Sequence, residues 1–189
     1  MLYALLITLA LATFTAAQVV KPDAGAAKRS LVSAKSGTNS FESEKGRFKI
    51  ALPAELASFE ETLPSPAAPR ESGGKYIWDL PQGVVTIDHS DDPDLIIKSP
   101  KDYRDVREGL VGGVGVFGGK VSSNRTFRVG KYHGFQVELT DANKLQGFSR
   151  LLIVDKRKYL LFGLVRSDTP GARRLIRTAL DSFRLTGTK

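Results

Sequence analysis

Alternating apolar and polar positions predict short β-strands over most of the chain after residue 40. In Arg47–Pro53 the side chains of Phe48, Ile50 and Leu52 fall on one face, and polar or small residues fall on the other. A period of two residues is typical of a strand with one buried face. Segments rich in apolar, aromatic and β-branched residues predict further strands at 75–80, 84–88, 121–129, 132–140, 148–154 and 159–165.

Two connections between these strands have the composition of tight turns. Pro81–Gly83 separates the second and third strands, and the charged run Asp155–Lys158 separates the last two. Both are predicted to be hairpin loops. Leu151–Val154 and Leu160–Phe162 are nearly apolar throughout, so we expect these strands to lie at the centre of a sheet with both faces covered.

Two helices have recognisable starts. Ser99 can cap a helix whose first residue is Pro100, and Asp102 stands where the acid of a capping box belongs. This helix is expected to end at Gly112-Gly113. A second helix is predicted after Thr169-Pro170, with one apolar stripe facing the core. The stripe consists of Ala172, Leu175, Ile176, Ala179, Leu180 and Phe183.

The elements follow the order strands, helix, strands, helix, with hairpins in place of a regular strand–helix–strand alternation. This order predicts an α+β fold in which helices pack on a mainly antiparallel sheet. A single domain over residues 41–186 is expected, because a chain of this length suits one domain and a tail.

The N-terminus predicts export. Residues 1–20 carry no charged side chain, and their apolar run closes on the small residues Thr15-Ala16-Ala17. This pattern predicts a signal peptide over residues 1–17, cleaved near Ala17, and therefore a secreted or periplasmic protein. The alternative is an uncleaved segment that anchors the chain in a membrane. Residues 18–40 are expected to form a flexible linker. The chain has no cysteine, which excludes thiolate catalysis and Cys-ligated zinc.

Positive charge is concentrated towards the C-terminus. Residues 1–120 contain 14 Lys and Arg against 15 Asp and Glu, whereas residues 121–189 contain 14 against 5. This asymmetry predicts an anionic partner, with a merely solvated surface as the alternative. An acidic lipid headgroup, a cell-envelope polymer or an acidic protein suits an exported protein, and nucleic acid is not expected because this set lacks aromatic stacking motifs. The candidate binding residues are Arg125, Arg128, Lys131, Lys156, Arg157, Lys158, Arg173, Arg174 and Arg177, and Arg184 completes the basic set.

The glycine-rich stretch 112–120 contains the pattern G-x-G-x-x-G at Gly113, Gly115 and Gly118. A dinucleotide-binding loop follows a strand and opens a helix, because the pyrophosphate binds at the helix N-terminus. Here the predicted order is the reverse, and the carbonyls at a helix C-terminus repel phosphate. The glycines are therefore expected to join a helix to a strand, and no nucleotide or other cofactor is predicted.

The acidic segment 88–94 supports an alternative function as a divalent-metal-binding module. Its alternating oxygen-bearing side chains are spaced like the first ligands of a calcium loop, although Pro93 replaces the pivotal glycine and Ser99 replaces the bidentate glutamate. The candidate metal ligands are Asp88, His89, Asp91, Asp92 and Asp94.

Catalytic chemistry is not indicated. The chain contains two histidines, His89 and His133, and no G-x-S-x-G elbow that would present a serine nucleophile. No catalytic residue is therefore assigned, and we expect the protein not to be an enzyme. Asn124-Arg125-Thr126 matches the acceptor pattern for N-glycosylation.

Taken together, these segments resemble the PsbP-like fold of the photosystem oxygen-evolving-enhancer family and its bacterial exported relatives. The resemblance spans 41–185 and is carried by Gly46–Pro53, the middle helix, Gly134-Phe135, Arg150–Val154, Tyr159 and Leu180–Leu185. It implies an α/β/α sandwich with a central, mainly antiparallel sheet, and a non-enzymatic role in binding or stabilising an assembly. Photosystem function is not implied, since no metal-binding residue of that family can be matched here. The sequence thus predicts a non-catalytic exported binding or accessory domain.

Overall fold

The computed structural model describes residues 38–53, 58–62, 73–92, 95, 97, 99–116, 119–140, 144–166 and 170–187. The elements in chain order are β1 (Thr38–Ser43), β2 (Phe48–Pro53), β3 (Ser58–Thr62), β4 (Gly73–Leu80), β5 (Gly83–Asp91), α1 (Pro100–Val116), β6 (Lys120–Val129), β7 (Tyr132–Thr140), β8 (Gln146–Val154), β9 (Arg157–Val165), α2 (Pro170–Asp181) and β10 (Arg184–Leu185).

The strands form two antiparallel sheets. The larger sheet has seven strands in the order β3-β4-β5-β9-β8-β7-β6, and the smaller has three in the order β1-β2-β10. The predicted strands of the second half of the chain are therefore confirmed, as are both hairpin turns. β8 and β9 lie in the interior of the large sheet, and residues 151–154 are all buried. The expectation that these apolar strands are central is also confirmed.

Side chains that alternate along β8 enter two separate hydrophobic clusters. Leu152 and Val154 belong to the cluster that includes α2, whereas Leu151 and Ile153 belong to the cluster that includes α1. Because successive residues of a strand point to opposite faces, the two helices cover opposite faces of the large sheet. The three-stranded sheet lies on the same face as α2, since Phe48, Ile50 and Leu52 of β2 share its cluster.

The predicted α/β/α sandwich is therefore confirmed only in part. A mainly antiparallel sheet with two helices is present, but one outer layer combines a helix with a second small sheet. The end of α2 is tied to that sheet through Ser182, whose Oγ accepts a hydrogen bond of 2.8 Å from the N–H of Ala51. β10 then extends the small sheet by pairing with β2.

The start of α1 is the predicted capping box. The N–H of Ser99 donates to Asp102 Oδ2 at 2.9 Å, and the N–H of Asp102 donates to Ser99 Oγ at 3.3 Å. The two side chains thereby satisfy each other's backbone donors at the helix start. The position of the helix start was thus predictable from local sequence.

The predicted end of α1 is wrong, because the helix continues through Gly112 and Gly113 to Val116. Val106, Leu110 and Val114 recur every four residues and are all buried against the sheet. Packing of this face outweighs the low helix propensity of glycine. The predicted order holds, since a strand begins at Lys120 after the helix.

We expect Gly112→Ala to raise the free energy of unfolding by about 0.5–1 kcal/mol, because alanine loses less backbone entropy than glycine in a helix. Gly112 is exposed, and a Cβ atom added there would meet nothing within 4 Å. Urea unfolding measures the change. The control is Gly163→Ala, where the added Cβ would lie 2.5 Å from Ile176 Cγ2 and should destabilise the fold. Stabilisation by both variants, or by neither, would contradict this account.

Three strands were not predicted. β1 begins at Thr38, before the expected domain start at Phe41, so the end of the predicted linker is part of the fold. β3 and β10 are short, and neither has the apolar alternation of a typical strand. The predicted signal peptide, the rest of the linker and Thr169 lie outside the described residues. Within the described ranges, no helical segment has the length and hydropathy that spanning a membrane requires.

Candidate functional site

A groove rich in arginine lies on the α2 face of the large sheet, between α2 and strands β6–β8. Arg125, Gln136 and Arg150 are direct cross-strand neighbours on β6, β7 and β8, so their side chains share this face. We call this surface the arginine groove, and its residues are Arg125, Phe127, Gln136, Glu138, Phe148, Arg150, Arg173, Arg177, Asp181 and Arg184.

Arg150 is the buried cation at the floor of the groove. Arg150 is 4% exposed, and its Nε donates to Gln136 Oε1 at 2.6 Å. Its Nη2 donates to Asp181 Oδ1, on a carboxylate side chain that is 56% exposed. Burial lowers the pKa of Arg150, and the hydrogen bond to Asp181 opposes that effect. The guanidinium nevertheless stays charged, because arginine does not lose its proton in proteins.

An aromatic ring supports this cation. The guanidinium of Arg150 lies 5.4 Å from the centre of the Phe127 ring. Phe127 is opposite Gly134 in the β6–β7 register, and a Cβ at position 134 would lie 2.5 Å from Phe127 Cε1. The glycine therefore allows the ring to lie against β7, where its face meets the cation.

A second group of cations lines the other part of the groove. Glu138 forms two ion pairs, with Arg173 at 2.8 Å and with Arg177 at 3.5 Å. Both guanidinium groups also lie over the ring of Phe148, at 5.8 and 5.9 Å from its centre. One carboxylate thus serves two arginines, which leaves positive charge uncompensated.

The floor of the groove contains a cavity of about 130 Å³. Its lining residues are Arg125, Phe127, Arg128, Val129, Gln136, Arg150, Leu180, Asp181, Phe183 and Arg184. Arg128 follows Phe127 on β6, and its side chain meets His133 on the opposite face of the sheet, so three arginines against one aspartate face the cavity with a formal net charge of +2. Such a surface attracts anions and repels cations.

The arginines of this cavity differ in how they are held. Arg184 donates to two backbone carbonyls, at 2.7 Å to Asp181 and 2.7 Å to Phe183. Arg128 donates to His133, with 2.8 Å between Nη2 and Nε2. Arg125 is exposed and has no hydrogen bond or ion pair within the described residues. Its charge is therefore available to a ligand.

The candidate binding residues lie in three places. Arg125, Arg128, Arg173 and Arg177 line or border the groove, whereas Arg174 is exposed and outside the cavity lining. The remaining candidates, Lys131, Lys156, Arg157 and Lys158, lie at the β6–β7 and β8–β9 hairpins.

Two of the hairpin cations are already neutralised. Arg157 forms a two-pronged pair with Asp91, at 2.5 Å from Nε and 2.6 Å from Nη2, and this pair raises the pKa of Arg157. Lys158 lies 3.2 Å from a carboxylate oxygen of Asp92. These ion pairs connect β9 to the end of β5 and leave less charge for a partner.

Sequence reasoning missed Arg150, Gln136, Phe127 and Asp181 as site residues. A signal was present, because Arg150 is the one charged residue in the strand Gln146–Val154. A charge inside a buried strand needs a partner, and such partners often mark a site. The identity of the partners depended on strand register, which the sequence did not reveal.

The structure does not bring the acidic candidates together as a metal centre. Asp91 and Asp92 are engaged in the ion pairs above, and Asp94 lies outside the described residues. Asp88 and His89 are neighbours on a strand, so their side chains point to opposite faces. Across the described parts of the chain, no three carboxylate or imidazole groups converge. The metal-binding hypothesis stays a prediction.

His89 instead lies in an aromatic cluster beneath the small sheet. It is 1% exposed, and its ring centre is 5.9 Å from that of Tyr76, 6.3 Å from Tyr159 and 6.5 Å from Phe48. Neither ring nitrogen has a hydrogen-bond partner among the described residues. Burial, together with the positive charge of Arg157, lowers the pKa of His89 from 6.5 to about 4. This histidine is therefore neutral at pH 7.

The sequence matches no family model and no curated protein. Among solved structures, it is similar to the solution structure of cyanobacterial PsbP (CyanoP) from Synechocystis sp. PCC 6803, with a TM-score of 0.55 at 11% identity over 79% of this chain and 92% of that chain. A protein of unknown function from Pseudomonas aeruginosa has a TM-score of 0.40 at 10% identity, over 76% of this chain and 91% of that chain. At 11% identity, the likeness to cyanobacterial PsbP concerns the fold alone and does not transfer a function. The likeness to cyanobacterial PsbP, together with the antiparallel sheet and its two helices, shows that this chain has a PsbP-like fold.

Proposed function

We propose that this protein is a non-catalytic accessory domain that binds a polyanionic partner through the arginine groove. The observation that carries the proposal is the gathering of five groove arginines around two carboxylates, those of Glu138 and Asp181. An excess of guanidinium groups on one surface steers anionic partners and strengthens their binding. A lipid surface, an envelope polymer or an acidic protein would each satisfy this chemistry, and export of the chain remains part of the proposal.

The placement of the histidines supports a role other than hydrolysis. A Ser–His–acid triad requires a histidine that is hydrogen-bonded to both a nucleophile and an orienting acid. His133 instead contacts Arg128, and His89 has no hydrogen-bond partner among the described residues. Neither histidine is therefore arranged as a general base in the described part of the chain.

Charge reversal in the groove tests this function. Arg125→Glu is expected to weaken binding to phosphatidylglycerol vesicles or to poly-L-glutamate at least tenfold at 50 mM NaCl, because reversal removes about 1 kcal/mol of attraction and adds a repulsion of similar size. Cosedimentation measures the vesicle arm, and fluorescence anisotropy measures the polymer arm. Binding should also fall as NaCl is raised to 300 mM, because salt screens exposed charges.

The matched control is Arg104→Glu, which makes the same charge change at an exposed position on α1, on the opposite face of the sheet. It should leave binding within about twofold of the unmodified protein. Equal losses of binding affinity for the two variants would show that net charge alone explains the effect. Binding that does not change with NaCl concentration, or no binding to either vesicles or poly-L-glutamate, would overturn the proposed function.

A further inference from the structure

We infer that the cavity at the floor of the arginine groove is a site for a single phosphate group. The inference deepens the proposed function and rests on it, since the same surface would hold one phosphate of the partner. It adds a discrete site with defined donors to what would otherwise be a diffuse charged surface.

The donors that line the cavity exceed the acceptors available to them. Arg150 has five N–H donors, of which Nε is used by Gln136 and Nη2 by Asp181, while its Nη1 has no hydrogen-bond partner among the described residues. The side-chain Nε2 of Gln136, on a residue that is 1% exposed, also has no such partner. Arg125 adds a third unengaged donor group at the same cavity.

Of these groups, the Nε2 of Gln136 is the buried donor without an acceptor in the described part of the chain, and native proteins rarely leave such a donor unmet. A water molecule could accept one or two of these hydrogen bonds but would leave the net charge of the lining residues unchanged. An oxyanion satisfies the donors and offsets the charge together. The combination of unmet donors and excess charge therefore points to an oxyanion.

Charge favours phosphate over carboxylate, and the cavity is large enough for either group. The lining side chains that face the cavity carry +2, and a phosphate monoester brings about −1.5 to −2 at pH 7, whereas a carboxylate brings about −1. The cavity volume of about 130 Å³ is several times the ~30 Å³ that one water molecule occupies in the liquid. Guanidinium groups also match phosphate oxygens with paired N–H donors.

Asp181 is the internal competitor for this site. Its carboxylate takes up one edge of the Arg150 guanidinium, yet the side chain is 56% exposed and can turn towards solvent. An entering phosphate would replace it as the acceptor for Arg150. Removing the Asp181 charge should therefore raise phosphate affinity, while removing Arg125 should lower it.

Isothermal titration calorimetry on the full chain at constant ionic strength tests the site, with inorganic phosphate, glycerol 3-phosphate and acetate as probes. Arg125→Ala is expected to weaken phosphate binding about tenfold, the effect of losing one charged hydrogen bond, and Asp181→Asn to tighten it several-fold. The control Arg174→Ala removes the same charge from an exposed position on α2 outside the cavity, and should change affinity less than twofold. Tighter binding of glycerol 3-phosphate would identify the ligand as a phosphate ester such as a lipid headgroup. Tighter binding of inorganic phosphate would identify it as the free ion.

Several results would overturn the inference. The first is the absence of heat from phosphate at millimolar concentration. The second is a loss of affinity in Arg174→Ala as large as that in Arg125→Ala, and the third is acetate binding as tight as that of phosphate. If vesicles or poly-L-glutamate still bind in a salt-dependent manner in any of these cases, the discrete site is wrong and the proposed function stands. Loss of binding to both polyanions would remove the proposed function as well.

Discussion

Replacing Phe48 by alanine is expected to lower the free energy of unfolding by about 3–5 kcal/mol, the usual cost of deleting a fully buried phenyl ring. Phe48 is 0% exposed and lies where the small sheet, the large sheet and the end of α2 meet. Its ring centre is 5.2 Å from that of Tyr76 on the large sheet and 5.5 Å from that of Phe183 beyond α2. The cavity left by alanine cannot collapse easily, because its walls belong to three different elements.

Urea unfolding followed by tryptophan fluorescence measures this effect. The chain contains one tryptophan, Trp78, which is 0% exposed and belongs to the same cluster. The control is Phe41→Ala on β1, where the ring is only half-buried and the loss should be clearly smaller. A loss below about 1 kcal/mol for Phe48→Ala would show that the small sheet contributes little to the stability of the domain.

Acidification is expected to remove about 3 kcal/mol of stability through His89. The pKa of His89 is about 4 in the folded protein, against 6.5 in the unfolded chain. The unfolded chain therefore binds the proton more readily between these two values. The contribution of His89 is fully present above pH 6.5 and is lost as the pH falls to about 4. The size follows from about 1.4 kcal/mol for each pH unit of that window.

The physical cause is burial of the imidazole among aromatic rings; the cations Arg157 and Lys45 lower its pKa further, and the carboxylate of Asp91 opposes the shift. NMR titration of the His89 ring measures the pKa directly, and a value of 6 or more would refute the account. The control is His89→Gln, which keeps a polar side chain but cannot titrate. Between pH 6.5 and 4, the unfolding free energy of this variant should fall by roughly 3 kcal/mol less than that of the unmodified protein.

The elements that depend on neighbouring residues were largely predictable. The strands of the second half, the hairpin at Asp155–Lys158 and the capping box at Ser99 and Asp102 all follow from patterns within a few residues. The end of α1 was not predictable in this way. Its last turns depend on burial of Val114 against strands that lie far away in the sequence.

The candidate site was predictable only as a composition. The excess of Lys and Arg after residue 120 indicated an anionic partner, and four of the nine candidate residues line or border the groove. The list could not separate Arg125, which has no ion pair within the described residues, from Arg157, which Asp91 neutralises. It also omitted Arg150, because the contacts of this residue with Gln136 and Asp181 depend on strand register and helix docking.

The amino-acid sequence determined the number and kind of most elements, the antiparallel character of the main sheet and the surplus of positive charge, because each depends on residue type and short-range spacing. Tertiary structure alone decided that Arg125, Gln136 and Arg150 lie side by side on the α2 face of the large sheet, and that His89 is enclosed while Asp88 faces the other way. The physical reason is that strand register and helix docking are set by contacts between distant segments. A shift of one residue in any of these strands would send the same side chains to the opposite face of the sheet.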